Sequence, residues 1–195
     1  MELKINMNCD HTLSNVSKEY LSGYYDILDR MTERMNGAEL RNSISYNFVA
    51  QMLPHCNAGI EMSKNILRFT TFLPLQYIAD EVICDNRRAV ESMKNSVQKC
   101  LEFVSSNADI SVYQHRTAKI IKCMTQRMER TYAGNRININ YLKEMIPHGK
   151  GAVNISKNAL EFDLYPGLKC MIEEMVKKQE KSITKMEHML RTVGC

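Results

Sequence analysis

The sequence predicts an all-α protein, an antiparallel helical bundle assembled from one unit used twice. Three observations carry that expectation. Apolar residues recur at three- and four-residue spacing over long stretches. Strand signals are nearly absent, and glycine and proline are sparse, at 8 and 4 of 195 residues. Finally, "MTERM" at Met31 returns as "MTQRM" at Met124, 93 positions later with no gap needed.

The repeat extends well past that pentapeptide. At the same offset Pro54 and His55 fall on Pro147 and His148, "SKN" at Ser63 on "SKN" at Ser156, and Leu67 on Leu160. Phe69, Glu81 and Met93 meet Phe162, Glu174 and Met186. A constant offset means that loops as well as helices were copied. The period is too long for a solenoid, so the chain divides into two tandem helical units, residues 1–104 and 105–195.

Each unit shows three helical patterns. The first places Val16, Tyr20, Ile27, Met31 and Met35 on one face, with Asn36-Gly37 as its stop signal. The second places Met52, His55, Gly59, Met62, Ile66 and Phe69 in strict 3-4 alternation, as do Met145, His148, Ala152, Ile155, Ala159 and Phe162. The third lines up Ile78, Val82, Ala89, Met93 and Val97. Pro74 and Pro166-Gly167 mark where the second helix of each unit ends and the third begins. His55 and His148 sit on apolar seams, so both rings point inward. The proline before each is expected to kink its helix near Met52-Leu53 and Met145-Ile146. The kink frees a carbonyl that can satisfy the buried imidazole N–H.

Composition narrows the function classes. A net charge of +4 with bases and acids interleaved reads as solvated helix faces, and no basic stripe or nucleic-acid module is present. No window has the apolar length to span a bilayer, and the N-terminus lacks a secretory pattern. Seven cysteines without a CxxC pair argue against a disulfide framework, so a reducing cytoplasm is the expected location. Methionine stands out, with 14 residues against no tryptophan.

The "M[LI]PH" element, the following "SKNxL" and the later helix ending in methionine resemble the domain-of-unknown-function 305 family. Its members are ferritin-like helical bundles with a signature near M-x-P-H-H-x-x-A-x-x-M-A and a downstream Q-x-x-E-I-x-x-M. The resemblance runs from Met31 to Val97 and again from Met124 to Leu190. It implies a ferritin-like bundle and, as for some members, copper held by methionine and histidine. The second unit matches the later helix with Gln179, Ile183 and Met186; the first has Asn86, Val90 and Met93. Both units depart from the signature. Its second histidine is Cys56 in one unit and Gly149 in the other, and its glutamate is Ala89 or Ser182.

The candidate site residues are those retained by both units. They are Met31, Met35, Met52, His55 and Met93 in the first, with Cys56 beside them, and Met124, Met128, Met145, His148 and Met186 in the second. Soft thioethers with a borderline imidazole favour Cu(I) over Zn, Mg or Fe. The competing reading is that methionine at seam spacing fills core gaps. An inward histidine is likewise commonly hydrogen-bonded to backbone. Enzymatic constellations fail: there is no Glu-x-x-His pair, no HExxH and no glycine-rich phosphate loop. A Cys56 nucleophile served by His55 is disfavoured, because adjacent helical side chains point about 100° apart. Two function classes remain. One is a non-enzymatic bundle with a reduced soft-metal site. The other is a metal-free structural or protein-interaction module, with an unassigned protein as its partner and neither nucleic acid nor membrane.

Overall fold

Serine hydroxyls open three of the helices. Ser14, Ser43 and Ser106 each accept a bond from the amide three residues on, at 3.1 Å, satisfying one orphan donor of the first turn. Proline opens two others, Pro74 in the first turn of its helix and Pro166 at the start of the last. The computed structural model describes residues 13–131 and 133–193. They form six helices: α1 (Asn15–Asn36), α2 (Ile44–Leu67), α3 (Leu73–Glu102), α4 (Asn107–Glu129), α5 (Ile137–Leu160) and α6 (Pro166–Val193). Cys9, His11 and Cys195 lie outside the described residues.

Cross-helix pairs give the directions. Glu19 pairs with Arg68 and Arg30 with Glu61, so α1 and α2 run antiparallel. Lys150 pairs with Glu187 and Lys157 with Glu180, which does the same for α5 and α6. Lys185 with Glu81 and Lys178 with Asp85 set α3 against α6. These pairs are exposed, and each contributes about 0–1 kcal/mol. Burial of apolar side chains stabilises the bundle far more. One apolar cluster draws on all six helices, with α2 and α5 at its centre. Helix α2 packs on α1, α3 and α5; helix α5 packs on α4, α6 and α2.

The predicted faces hold, with local differences. Val16 is 51% exposed because it sits in the first turn of α1, and Val97 reaches 36%. Along that stretch of α3 the inward line runs through Met93 and Cys100, both fully buried, leaving Val97 on the flank. Pro54 and Pro147 lie inside α2 and α5, and both helices continue through them. Close approach demands glycine at Gly151: a Cβ there would come within 2.1 Å of Met124 Sδ.

Two asparagines fasten the loops that lead into α2 and α5. Asn47 accepts from the Arg41 amide at 2.7 Å and donates to the Arg41 carbonyl at 2.9 Å. Asn140 makes the same two-way exchange with Gly134, at 3.1 and 2.7 Å. Both side chains are buried. Asn47→Ala is expected to destabilise the fold by about 1–3 kcal/mol, through one backbone donor and one acceptor left unpaired. Asn47→Asp keeps the accepting half but turns a buried carboxyl oxygen toward the Arg41 carbonyl and should lose at least as much at neutral pH; urea unfolding of both variants measures the difference.

Candidate functional site

The sequence places one imidazole on the buried face of each central helix, and the fold brings them together. His55 on α2 and His148 on α5 stack with ring centroids 3.8 Å apart and planes inclined by 19°. Each Nε2 donates to the backbone carbonyl of the other histidine, at 3.2 and 3.3 Å. A carbonyl only accepts, so both rings carry their proton on Nε2. The bond expected from the preceding proline is therefore replaced. The acceptor lies on the opposite helix, where α2 and α5 pack against each other. The crossing is tight. A Cβ on Gly59 would lie 3.0 Å from His148 Cε1 and 3.2 Å from Asn86 Nδ2.

Electrostatics keep this pair neutral. Burial pulls the His55 ring down to about 4, only partly offset by its bond to the His148 carbonyl. His148 is held well below the ordinary histidine range, first by burial and then by the charge that His55 would carry. The His55 Nδ1 is buried and has no hydrogen-bond partner. Burial raises the neighbouring Cys56 thiol to about 12, so it is a thiol at neutral pH.

The other candidate residues are distributed over the whole core. Met31 and Met35 come from α1, Met52 from α2, Met93 from α3, Met124 and Met128 from α4, Met145 from α5 and Met186 from α6. All are buried at 3% exposure or less. The two histidines meet each other between α2 and α5, a pairing that spacing along either helix does not suggest. Among the described residues, no three His, Cys, Asp or Glu side chains converge as a metal-holding group. The cysteines Cys56, Cys84, Cys100, Cys123 and Cys170 are all free.

One buried acid is not singled out by spacing. Glu144 is 2% exposed on α5 and accepts a hydrogen bond from the Tyr20 hydroxyl on α1. Burial raises its carboxyl to about 8, with the Tyr20 bond opposing the rise, so it is largely protonated at neutral pH. Burial and the Glu144 charge together push Tyr20 well above the usual phenol range. The signal is nevertheless present in the sequence. Tyr141, Glu144, Met145 and His148 share one helical stripe, and a carboxyl on an apolar stripe has to be paired or neutral.

These shifts set opposite limbs of a pH profile. The histidine pKa values are lowered on folding, so their contribution is present above about 6.5 and is lost as pH falls through the folded values, about 4 for His55 and well below the ordinary range for His148. The Glu144 pKa is raised, so its contribution is complete below about 4.5 and is lost as pH rises through about 8. Stability should therefore peak near pH 6.5 and fall by on the order of 1 kcal/mol per unit toward pH 8. Glu144→Gln keeps an acceptor for Tyr20 and should flatten the alkaline limb while steepening the acid one, because Glu144 offsets part of the histidine rise between about 4.5 and 6.5. Chemical denaturation between pH 4 and 9 measures both limbs.

Comparison with known proteins agrees with the motif. No curated protein and no solved structure matches the chain. One family model matches residues 45–190, a span that takes in both Pro-His elements and all of α5. The chain belongs to the family described as "Domain of unknown function (DUF305)".

Proposed function

We propose that this is a non-enzymatic, internally duplicated bundle of the ferritin-like kind, acting as a metal-free structural or protein-interaction module. The observation that carries this reading is the reciprocal histidine exchange. Both Nε2–H groups are consumed by backbone carbonyls and both rings are held neutral by burial. The two imidazoles are thus already serving the junction of α2 with α5 through Nε2.

The tandem reading is supported by paired features at the 93-residue offset. Asn65 and Asn158 donate to the carbonyls of Tyr20 and Tyr113, at 2.9 and 3.2 Å. Tyr20 stands edge-on to Phe69 and Tyr113 to Phe162, with centroids 5.8 and 6.0 Å apart. The boundary between residues 104 and 105 falls in the break between α3 and α4. An interaction role is supported by Leu73 and Tyr77, 62% and 70% exposed at the start of α3. No helix among the described residues is long and apolar enough to cross a membrane.

One observation favours the Cu(I) reading as the alternative. His55 presents an unpartnered Nδ1 while its Nε2–H is anchored to a carbonyl, the arrangement by which metal-ligating imidazoles are oriented. Cys56 and the buried methionines would complete a soft donor set.

An anaerobic Cu(I) titration against a competing chelator, on wild type and on His55→Ala/His148→Ala, separates the two. The structural reading expects weak uptake, unchanged in the double variant, together with a fall in stability of about 2 kcal/mol or more from the lost bonds and packing. Tight uptake of one or two equivalents that disappears in the double variant would overturn it and establish the metal reading.

A further inference from the structure

Buried polar atoms in the two halves of the bundle are unequally satisfied. In one set the Tyr20 hydroxyl donates to Glu144, and the hydroxyls of Ser63 and Tyr141 pair at 2.8 Å. The Glu144 charge acts on Tyr20, Tyr24 and Tyr141 alike, so these side chains share one neighbourhood. Shifted by 93 residues, Tyr20, Tyr24, Ser63, Tyr141 and Glu144 become Tyr113, Thr117, Ser156, Phe48 and Gln51. The surroundings of the second set agree with those of the first. The Tyr113–Phe162 ring contact and the Asn158 bond to the Tyr113 carbonyl match those of Tyr20 with Phe69 and Asn65.

The polar atoms themselves do not agree. Gln51 Oε1 and the Ser156 hydroxyl are buried without a hydrogen-bond partner in the protein, and the buried Tyr113 O–H has no acceptor. Buried polar atoms are overwhelmingly paired, so three incompletely bonded groups at the positions equivalent to a bonded set call for a further partner. The substitutions explain the orphans. Phe48 lacks the phenol oxygen that Tyr141 offers to Ser63, and Thr117 stands where the first set carries the whole ring of Tyr24. The Thr117 hydroxyl accepts from Asn158 Nδ2 at 2.9 Å, and its own O–H bonds the Tyr113 phenol oxygen and opposes the rise in the Tyr113 pKa, which leaves the Tyr113 proton without an acceptor.

We propose that Gln51, Tyr113 and Ser156 line an internal water-binding site in the second half of the bundle. This inference rests on the positional equivalence proposed above and goes beyond it. One water donates to Gln51 Oε1 and accepts from the Tyr113 hydroxyl, which replaces the direct Tyr20–Glu144 bond of the other half. A second takes the place of the missing phenol oxygen and pairs with Ser156. Water suits the site because each lining group is uncharged and able to donate or accept. An ion would find no compensating charge among them.

A high-resolution crystal structure of the full chain tests the site directly. Ordered density within hydrogen-bonding distance of at least two of the three atoms is expected. Empty density, with the three atoms facing separate apolar walls, would overturn the proposal. Phe48→Tyr supplies the missing oxygen and should displace the Ser156 water with Tm unchanged or raised. A clear fall in Tm, as from overpacking, would show that the room does not exist. Ser156→Ala should remove that same water with little change in Tm, whereas a large fall would mean that the hydroxyl is bonded within the protein. Failure of these tests leaves the copper titration unaffected, so the two readings fall separately.

Discussion

The reciprocal contact of His55 with His148 is the constraint around which the rest of the bundle is arranged. It joins α2 to α5, and those two helices carry the packing of the other four. The contact works only if both rings are neutral. Two imidazolium ions stacked at 3.8 Å in an apolar core would repel each other strongly, with little solvent to screen them. Burial enforces that neutrality, and the exchanged carbonyl bonds fix the tautomer and the ring planes. Gly59 follows from the same requirement, since a side chain there would press on the His148 ring.

Around that junction several bonds to backbone recur at the 93-residue offset, while side-chain contacts between the first three helices and the last three do not. Asn47 and Asn140 fasten equivalent loops, and Asn65 and Asn158 tie equivalent helix pairs. The cross-half contacts are where one member of a pair has changed: Glu144 against Gln51, Tyr141 against Phe48 and Tyr24 against Thr117. Loop fastening is local and has one solution per unit. A contact between halves has two partners, and a change on either side alters what the other can do.

Much of the architecture is legible in the sequence because helical periodicity is a local property. The faces of α2 and α5 follow directly from the 3-4 spacing of Met52, His55, Gly59, Met62 and Ile66 and of their counterparts. Pro74 and Pro166 mark helix starts for equally local reasons. The site is legible only in its parts. Spacing says that His55 and Met52 share a face; it does not say which residue on another helix that face meets. The acceptor expected for each imidazole therefore lies on its own helix, whereas the true one lies on the opposite helix. Spacing misses Glu144 for a related reason. Its protonated state depends on burial and on Tyr20, 124 residues away, rather than on its neighbours in the chain.

Charge exclusion links the histidines to the acid. Glu144 is kept neutral by a proton, and its counterpart Gln51 is neutral by constitution. The Glu144 carboxyl thus serves the buried Tyr20 as a hydrogen-bonding group instead of an ion. The histidines are neutral for the same reason, and the Cys56 thiol keeps its proton. A Cu(I) ion held by imidazole and thioethers would carry an uncompensated positive charge into this core. To offset it, Cys56 would have to give up a proton that burial holds to about 12. The second half has Gly149 at that position and no thiol to give. The same low-polarity interior that lets the two histidines stack therefore opposes the ion that their neighbours' chemistry would attract, and that opposition weighs toward the structural reading.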